Sequence, residues 1–186
     1  MYPPTAILSA GARPLFVDVS ADTMTIDPMH LRASLTPDTA AIIVTHLYGQ
    51  MAAIEEIPTI ADAAGIPLIE DCAQAHGAEV DGRRAGSWGT IGCFSFYPPK
   101  NLGALGDGGC LVTNDVALAA KIRSLRQYGW TSRYHSTLSG GRNSRLDELQ
   151  AAILRAKLPH LDSWNERRRQ IARQYGRTVV DNSYVA

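Results

Sequence analysis

Between Ala41 and Asp71 the chain runs Ala41-Ile42-Ile43-Val44, then a helical pattern from Ile54 to Ala64 closed by Gly65, then Pro67-Leu68-Ile69-Glu70-Asp71. An unbroken apolar run is what a strand buried on both faces requires. Two such runs joined through one helix predict parallel neighbours, because a helical crossover returns the chain to the end of the sheet it left. The class is therefore α/β, with a mixed, mostly parallel sheet flanked by helices.

The flanks extend this pattern. Phe16-Val17-Asp18-Val19 reads as a short strand, and Asp27-Pro28 supplies an N-cap and first-turn proline for a helix through His30-Leu31 to Leu35. Asp81-Gly82 marks a turn, after which Ile91 to Tyr97 and Cys110 to Thr113 read as strands, and Asp115 caps a helix reaching about Leu125. From Leu146 the period changes: Leu146, Leu149, Ile153, Leu158 and Leu161 recur at helical spacing, with Ala151, Ala152 and Ala156 allowing close approach of a neighbour. A bend at Pro159 and continuation through Trp164 to about Tyr175 are expected, with Arg167-Arg168-Arg169 beside Glu166 on a solvated face.

Eighteen basic and eighteen acidic residues cancel, so no net field favours nucleic acid or an anionic membrane surface. No apolar run reaches the roughly 20 residues that span a bilayer, and the N-terminus lacks the basic start and long apolar core of a signal peptide. A cytoplasmic protein with no nucleic-acid or membrane partner is expected. Cys72, Cys93 and Cys110 are odd in number, lack C-x-x-C spacing and sit in apolar runs, which predicts reduced thiols and no metal site.

In an open parallel sheet, ligands collect beyond the carboxyl ends of the strands. Asp71 stands at such an end, where position alone leaves it open to three roles: magnesium ligand, helix cap or counter-ion of a cationic ligand. Lys100, in Phe94-Ser95-Phe96-Tyr97-Pro98-Pro99-Lys100-Asn101-Leu102-Gly103, is the second group to weigh. A Walker-type lysine follows its glycines and precedes Ser or Thr, whereas here Gly103, Gly106, Gly108 and Gly109 come after Lys100, and Asn101 follows it. A lysine on a proline-stiffened loop suits covalent chemistry at a carbonyl carbon, and an upstream strand-end aspartate completes the pair that pyridoxal phosphate uses. Lysine and aspartate are common residues, and spacing alone does not decide between these uses.

The segments EDCAQAHGA, GCFSFYPPKNLGALGDGG and GGRNSRLDELQAAILRAKLPHL resemble the DegT/DnrJ/EryC1/StrS sugar aminotransferases, members of the fold-type I pyridoxal-phosphate enzymes. HLYGQMA and PLFVDVSADTMTIDP match the same family, in order. The resemblance implies a pyridoxal 5'-phosphate enzyme moving an amino group from an amino acid, with glutamate the expected donor, to a nucleotide-linked keto-deoxysugar in amino-sugar or polysaccharide biosynthesis. It makes Lys100 the Schiff-base lysine, Asp71 the partner of the pyridine nitrogen and Gln74 the partner of the ring hydroxyl, with Ala73 against one ring face. Ser95 would bond the cofactor phosphate, and Asn143 would reach the phosphate in the neighbouring subunit's site, implying a homodimer with shared sites. Lysine at position 100 favours transamination over the sugar dehydration of relatives that carry histidine there.

The resemblance further implies that residues 1–160 form the central part of the cofactor-binding large domain. Residues 161–186 would be an interdomain helix and the start of a smaller C-terminal domain. Complete relatives extend beyond both ends of this stretch, so the expectation is an incomplete large-domain core: an enzyme in part, or a remnant needing a complementing chain. Simpler roles are expected elsewhere: His46 and His76 as hydrogen-bonding scaffold, Phe94, Phe96 and Tyr97 as strand packing, Lys121 and Lys157 as solvated helix residues. The four glycines after Lys100 would let the backbone turn and approach the cofactor.

Overall fold

The computed structural model describes residues 3–181. Two short helices, α1 (Pro3–Ser9) and α2 (Pro28–Ser34), precede the first strand, β1 (Ile42–Thr45). Then follow α3 (Ile57–Ala64), β2 (Leu68–Asp71), the small hairpin β3 (Glu79–Val80) and β4 (Arg83–Arg84), β5 (Ile91–Ser95) and β6 (Gly109–Val112). Helix α4 (Val116–Leu125) and a second small hairpin, β7 (Trp130–Ser132) with β8 (His135–Ser136), lead to α5 (Glu148–Lys157), a 3-10 turn (Leu158–His160) and α6 (Leu161–Asp181).

The expected mixed sheet is present, with strand order β1-β2-β5-β6. β1 and β2 run parallel from Ile42 opposite Leu68 to Thr45 opposite Asp71, and β2 and β5 run parallel with Asp71 opposite Cys93. β6 turns back antiparallel on β5, placing Gly109 opposite Ser95. Asp71 and Ser95 therefore end neighbouring parallel strands spaced about 4.8 Å apart, with Ser95 two residues beyond Cys93, the residue opposite Asp71.

Local chemistry accounts for the elements. The Asp27 carboxylate accepts from the Met29 and His30 N–H groups to open α2, and Asp115 does the same for Ala117 and Leu118 at α4. Gly65, at φ 66°, closes α3 in the left-handed conformation that a side chain resists. α3 begins at Ile57, three residues later than its apolar pattern suggests, because Pro58 belongs in a first turn, where no N–H is needed. Its Ile57, Ile60 and Ala61 recur on one face and pack with Ile42 and Val44 of β1 and Leu68 of β2. At about 1.5–3 kcal/mol per buried aliphatic side chain, this layer holds β1 and β2 in place.

Four expectations need correction. Phe16 to Val19 is not a strand: Val19 forms one isolated bridge to Ile26, and Phe16 is 75% exposed, since no neighbouring strand among the described residues offers it a ladder. β1 and β2 alternate buried with half-buried residues instead of being covered equally on both faces. Tyr97 is exposed, having left β5 for the turn that Pro98 and Pro99 impose, whereas Phe96 is buried. In α5, Leu149 and Leu158 face solvent, and the inward stripe is Leu146, Gln150, Ile153, Leu154, Lys157 and Leu161. An apolar count misplaces that face because two of its members are polar. The bend at Pro159 is present as the 3-10 turn.

Candidate active site at the carboxyl ends of β2 and β5

Three loops leaving strand ends meet here. Asp71 is half-buried; its Oδ1 accepts from the Ala73 N–H at 3.0 Å, and its backbone carbonyl accepts from the His46 N–H at 3.0 Å. Gln74 Oε1 accepts from the Tyr48 N–H at 3.2 Å, tying the loop after β2 to the loop after β1. Ser95 Oγ accepts from the Tyr97 N–H at 3.3 Å, and the Lys100 N–H donates to the Tyr97 carbonyl at 2.9 Å, closing the turn that presents Lys100. Asp71, Ala73, Gln74, Ser95 and Lys100 thus share one end of the sheet. Asn143 stands apart, exposed, its Oδ1 accepting from Arg145 Nε at 3.0 Å and its backbone bridged to Gln127.

The Lys100 loop is pinned from both sides. Within it, the Phe96 N–H donates to the Gly108 carbonyl and the Ala104 N–H to the Phe96 carbonyl, both at 2.8 Å. A Cβ at Gly103 would stand 2.1 Å from the Pro98 carbonyl oxygen, so this glycine is required by the loop's own closure. From α5, Gln150 Oε1 accepts from the Leu105 N–H at 2.8 Å, and Lys157 Nζ donates to the Gly103 carbonyl at 2.7 Å. Lys157, expected to be merely solvated, is instead a fastener of this loop. The polar interruptions in an otherwise apolar helix face were the signal for both residues.

Glu70 is a further residue that sequence reasoning passed over. It points to the opposite sheet face from Asp71, fully buried, and accepts from the N–H groups of Gly86 (2.8 Å), Trp88 (2.7 Å) and Gly89 (2.6 Å). His46 completes the set: its Nδ1 accepts from the Ala52 N–H at 3.1 Å, so the ring proton sits on Nε2 and is donated to Glu70 at 3.0 Å. Burial pushes the Glu70 carboxyl up, but these donors together outweigh it and hold its pKa below the ordinary value. The signal was a carboxylate inside an apolar strand, which demands partners.

His46, Glu70 and Cys72 offer donor atoms within 4.8 Å of one another. Each is already used: both His46 nitrogens and both Glu70 oxygens are bonded, and burial, then the Glu70 and Asp71 charges, push the Cys72 thiol far up. The cluster is structural. Burial likewise, then the Asp71 charge, pushes Cys93 up to about 11. His46 is the scaffold that was expected. His76 is buried against Phe94 and Phe96, with ring centroids 5.4 and 6.1 Å away, and its ring nitrogens bond no group among the described residues. Burial holds its pKa below the usual value; the nearby Ser95 backbone opposes this and the Lys100 charge adds to it.

No helix among the described residues is long and apolar enough to cross a membrane. Over residues 4–186 the sequence matches the model of the DegT/DnrJ/EryC1/StrS aminotransferase family. It is 51% identical over 176 residues to the pleiotropic regulatory protein of Geobacillus stearothermophilus, covering 95% of this chain and 47% of that protein. It is 48% identical over 171 residues to the dTDP-3-amino-3,4,6-trideoxy-alpha-D-glucose transaminase of Streptomyces venezuelae, covering 91% of this chain and 45% of that protein. The crystal structure of S. venezuelae DesV in complex with a ketimine intermediate superposes with a TM-score of 0.89 at 46% identity, over 92% of this chain and 46% of that one. The chain spans about half the length of the curated relatives it matches. With motifs, sheet order and these matches in agreement, the chain belongs to the DegT/DnrJ/EryC1/StrS aminotransferase family.

Proposed function

We propose that this chain carries the cofactor-binding centre of a pyridoxal 5'-phosphate-dependent aminotransferase acting on a nucleotide-linked keto sugar, with an amino acid such as glutamate as donor. The observation that carries the reading is the placement of Asp71 and Ser95 at the ends of adjacent parallel strands, with Lys100 on the turn that follows. A carboxylate, an amide, a hydroxyl and an amine at one sheet end suit a group bearing a ring N–H⁺, a ring hydroxyl, a phosphate and a carbonyl. When bound, that group supplies the electron sink for a carbanion at the donor's α-carbon.

The chain's own residues do the rest. Asp71, held by the Ala73 N–H, would face the ring N–H⁺ as its counter-ion. Gln74 would hold the ring hydroxyl, Ala73 would flank the ring, and Ser95 Oγ would donate to the phosphate. Lys100 would hold the cofactor carbonyl and, as a free amine, would move a proton at the donor's α-carbon from a fixed position. Asn143, exposed and away from this group, is read as serving the site of a second copy, or of a complementing chain. Residues 1–160 are read as the centre of the cofactor-binding domain and 161–186 as the helix leading to a second domain; residues 182–186 lie outside the described residues.

The test is to incubate the chain with pyridoxal phosphate, reduce with borohydride and map the label by mass spectrometry. A label on Lys100, absent from Lys100→Ala, together with turnover of an amino donor supports the enzyme. A label without turnover identifies a cofactor-binding part that needs a complementing chain. A label confined to Lys121 and Lys157 removes the reading.

A further inference from the structure

Asn165 lies in the second turn of α6 and is only 8% exposed, a polar side chain that must be bonded inside the protein. Its Nδ2 donates to the His76 carbonyl at 2.7 Å, and its Oδ1 accepts from Asn101 Nδ2 at 3.0 Å. These partners fix the amide's orientation, since a flipped amide would set oxygen against the carbonyl. His76 follows Asp71 by five positions on the loop after β2, and Asn101 directly follows Lys100 on the loop after β5. One side chain therefore spans both halves of the candidate site.

The surroundings are shaped for this bridge. A Cβ at Gly77 would stand 2.8 Å from Asn165 Nδ2, so glycine there gives the amide its room. One turn earlier, Asp162 accepts from Arg84 at 2.9 and 3.0 Å, holding the same face of α6 on the β3–β4 hairpin. Leu161 is buried in the cluster that contains Phe96 and Leu102, the flanks of the Lys100 turn. Because the two amide partners lie one on each loop, the bonds that seat α6 also tie the two loops together.

We propose that Asn165 is a positioning residue that sets the Lys100 amine against the Asp71 carboxylate, making the start of α6 a clamp between the two loops. This rests on the reading of Lys100 and Asp71 as the reacting pair, and its test also reads the chain without cofactor. Hydrogen–deuterium exchange is measured on wild type, Asn101→Ala, Asn165→Ala and the double variant. Asn165→Ala removes one neutral hydrogen bond from each loop and should speed exchange about fivefold in peptides covering both 72–78 and 97–104. Asn101→Ala should do so in 97–104 alone, and the double variant should match Asn165→Ala.

In the presence of pyridoxal phosphate, Asn165→Ala should shift the pH midpoint of the Lys100 adduct's absorbance relative to wild type, whereas loss of packing alone would lower the melting temperature without moving that midpoint. If wild type forms no adduct, the aminotransferase reading fails and the exchange pattern alone decides the clamp. Exchange changes confined to residues 161–168, or additive effects in the double variant, overturn it. Should Asn165→Ala not fold, unchanged exchange of 97–104 in Asn101→Ala overturns the proposal.

Discussion

Glu70 shows how one buried charge can organise a region that no local pattern predicts. Four donors converge on its two oxygens, three from the backbone of residues 86–89 and one from His46. Its carboxyl pKa is depressed on folding, so its contribution to stability is complete above the ordinary value of 4.5 and is lost as pH falls through the lower folded value. Glu70→Gln keeps the shape but turns an amide NH2 toward donors. It should lower stability at pH 7 by about 3 kcal/mol and flatten the acid side of a melting-temperature profile. An acid limb as steep as that of wild type would contradict this role.

Among the elements, α3 is the simplest case, because its inward residues are aliphatic and local. Ile60 is 2% exposed, and Ile60→Ala should cost about 2–5 kcal/mol in denaturant unfolding with no change in the slope of the transition. Legibility follows the same division. Strand–helix–strand order, the caps at Asp27 and Asp115 and the stop at Gly65 were readable because each depends on residues within a few positions. The strand-end placement of Asp71 followed from those strands, whereas Ser95 was read inside a strand reaching Tyr97 and ends β5 because the strand stops two residues earlier. Phe16 to Val19 misled because strand propensity is realised only against a partner. Gln150 and Lys157 showed in the sequence only as polar interruptions of an apolar face, and their partners, like those of Asn165, could not be read because they lie 45, 54 and 64 or more positions away. The inward face of α5 was misplaced for the same reason: its polar members pay for burial with bonds that only the folded chain reveals.

Taken together, the chain has its candidate reacting groups at one sheet end and Asn143 on a separate, exposed segment. If Asn143 serves a second copy, Lys100→Ala and Asn143→Ala, each inactive alone in pyridoxal-phosphate-dependent turnover, should regain activity when unfolded together and refolded, because mixed pairs hold one intact site. The measurement belongs on the assembly that turns over, with a complementing chain supplied if turnover requires one. No gain above the sum of the separate variants would exclude a site shared between two copies through Asn143.

Fasteners on Asn101, Gly103 and Leu105 all come from helices α5 and α6, later in the chain than every strand of the main sheet. Their lateness gives the molecule a timetable. At roughly 5–20 residues per second, synthesis passes Val112 some 3–10 seconds before it reaches Asn165. For that interval the nascent sheet can pair while the lysine turn is still loose, so a newly made chain acquires its sheet before the turn of its candidate site is fastened.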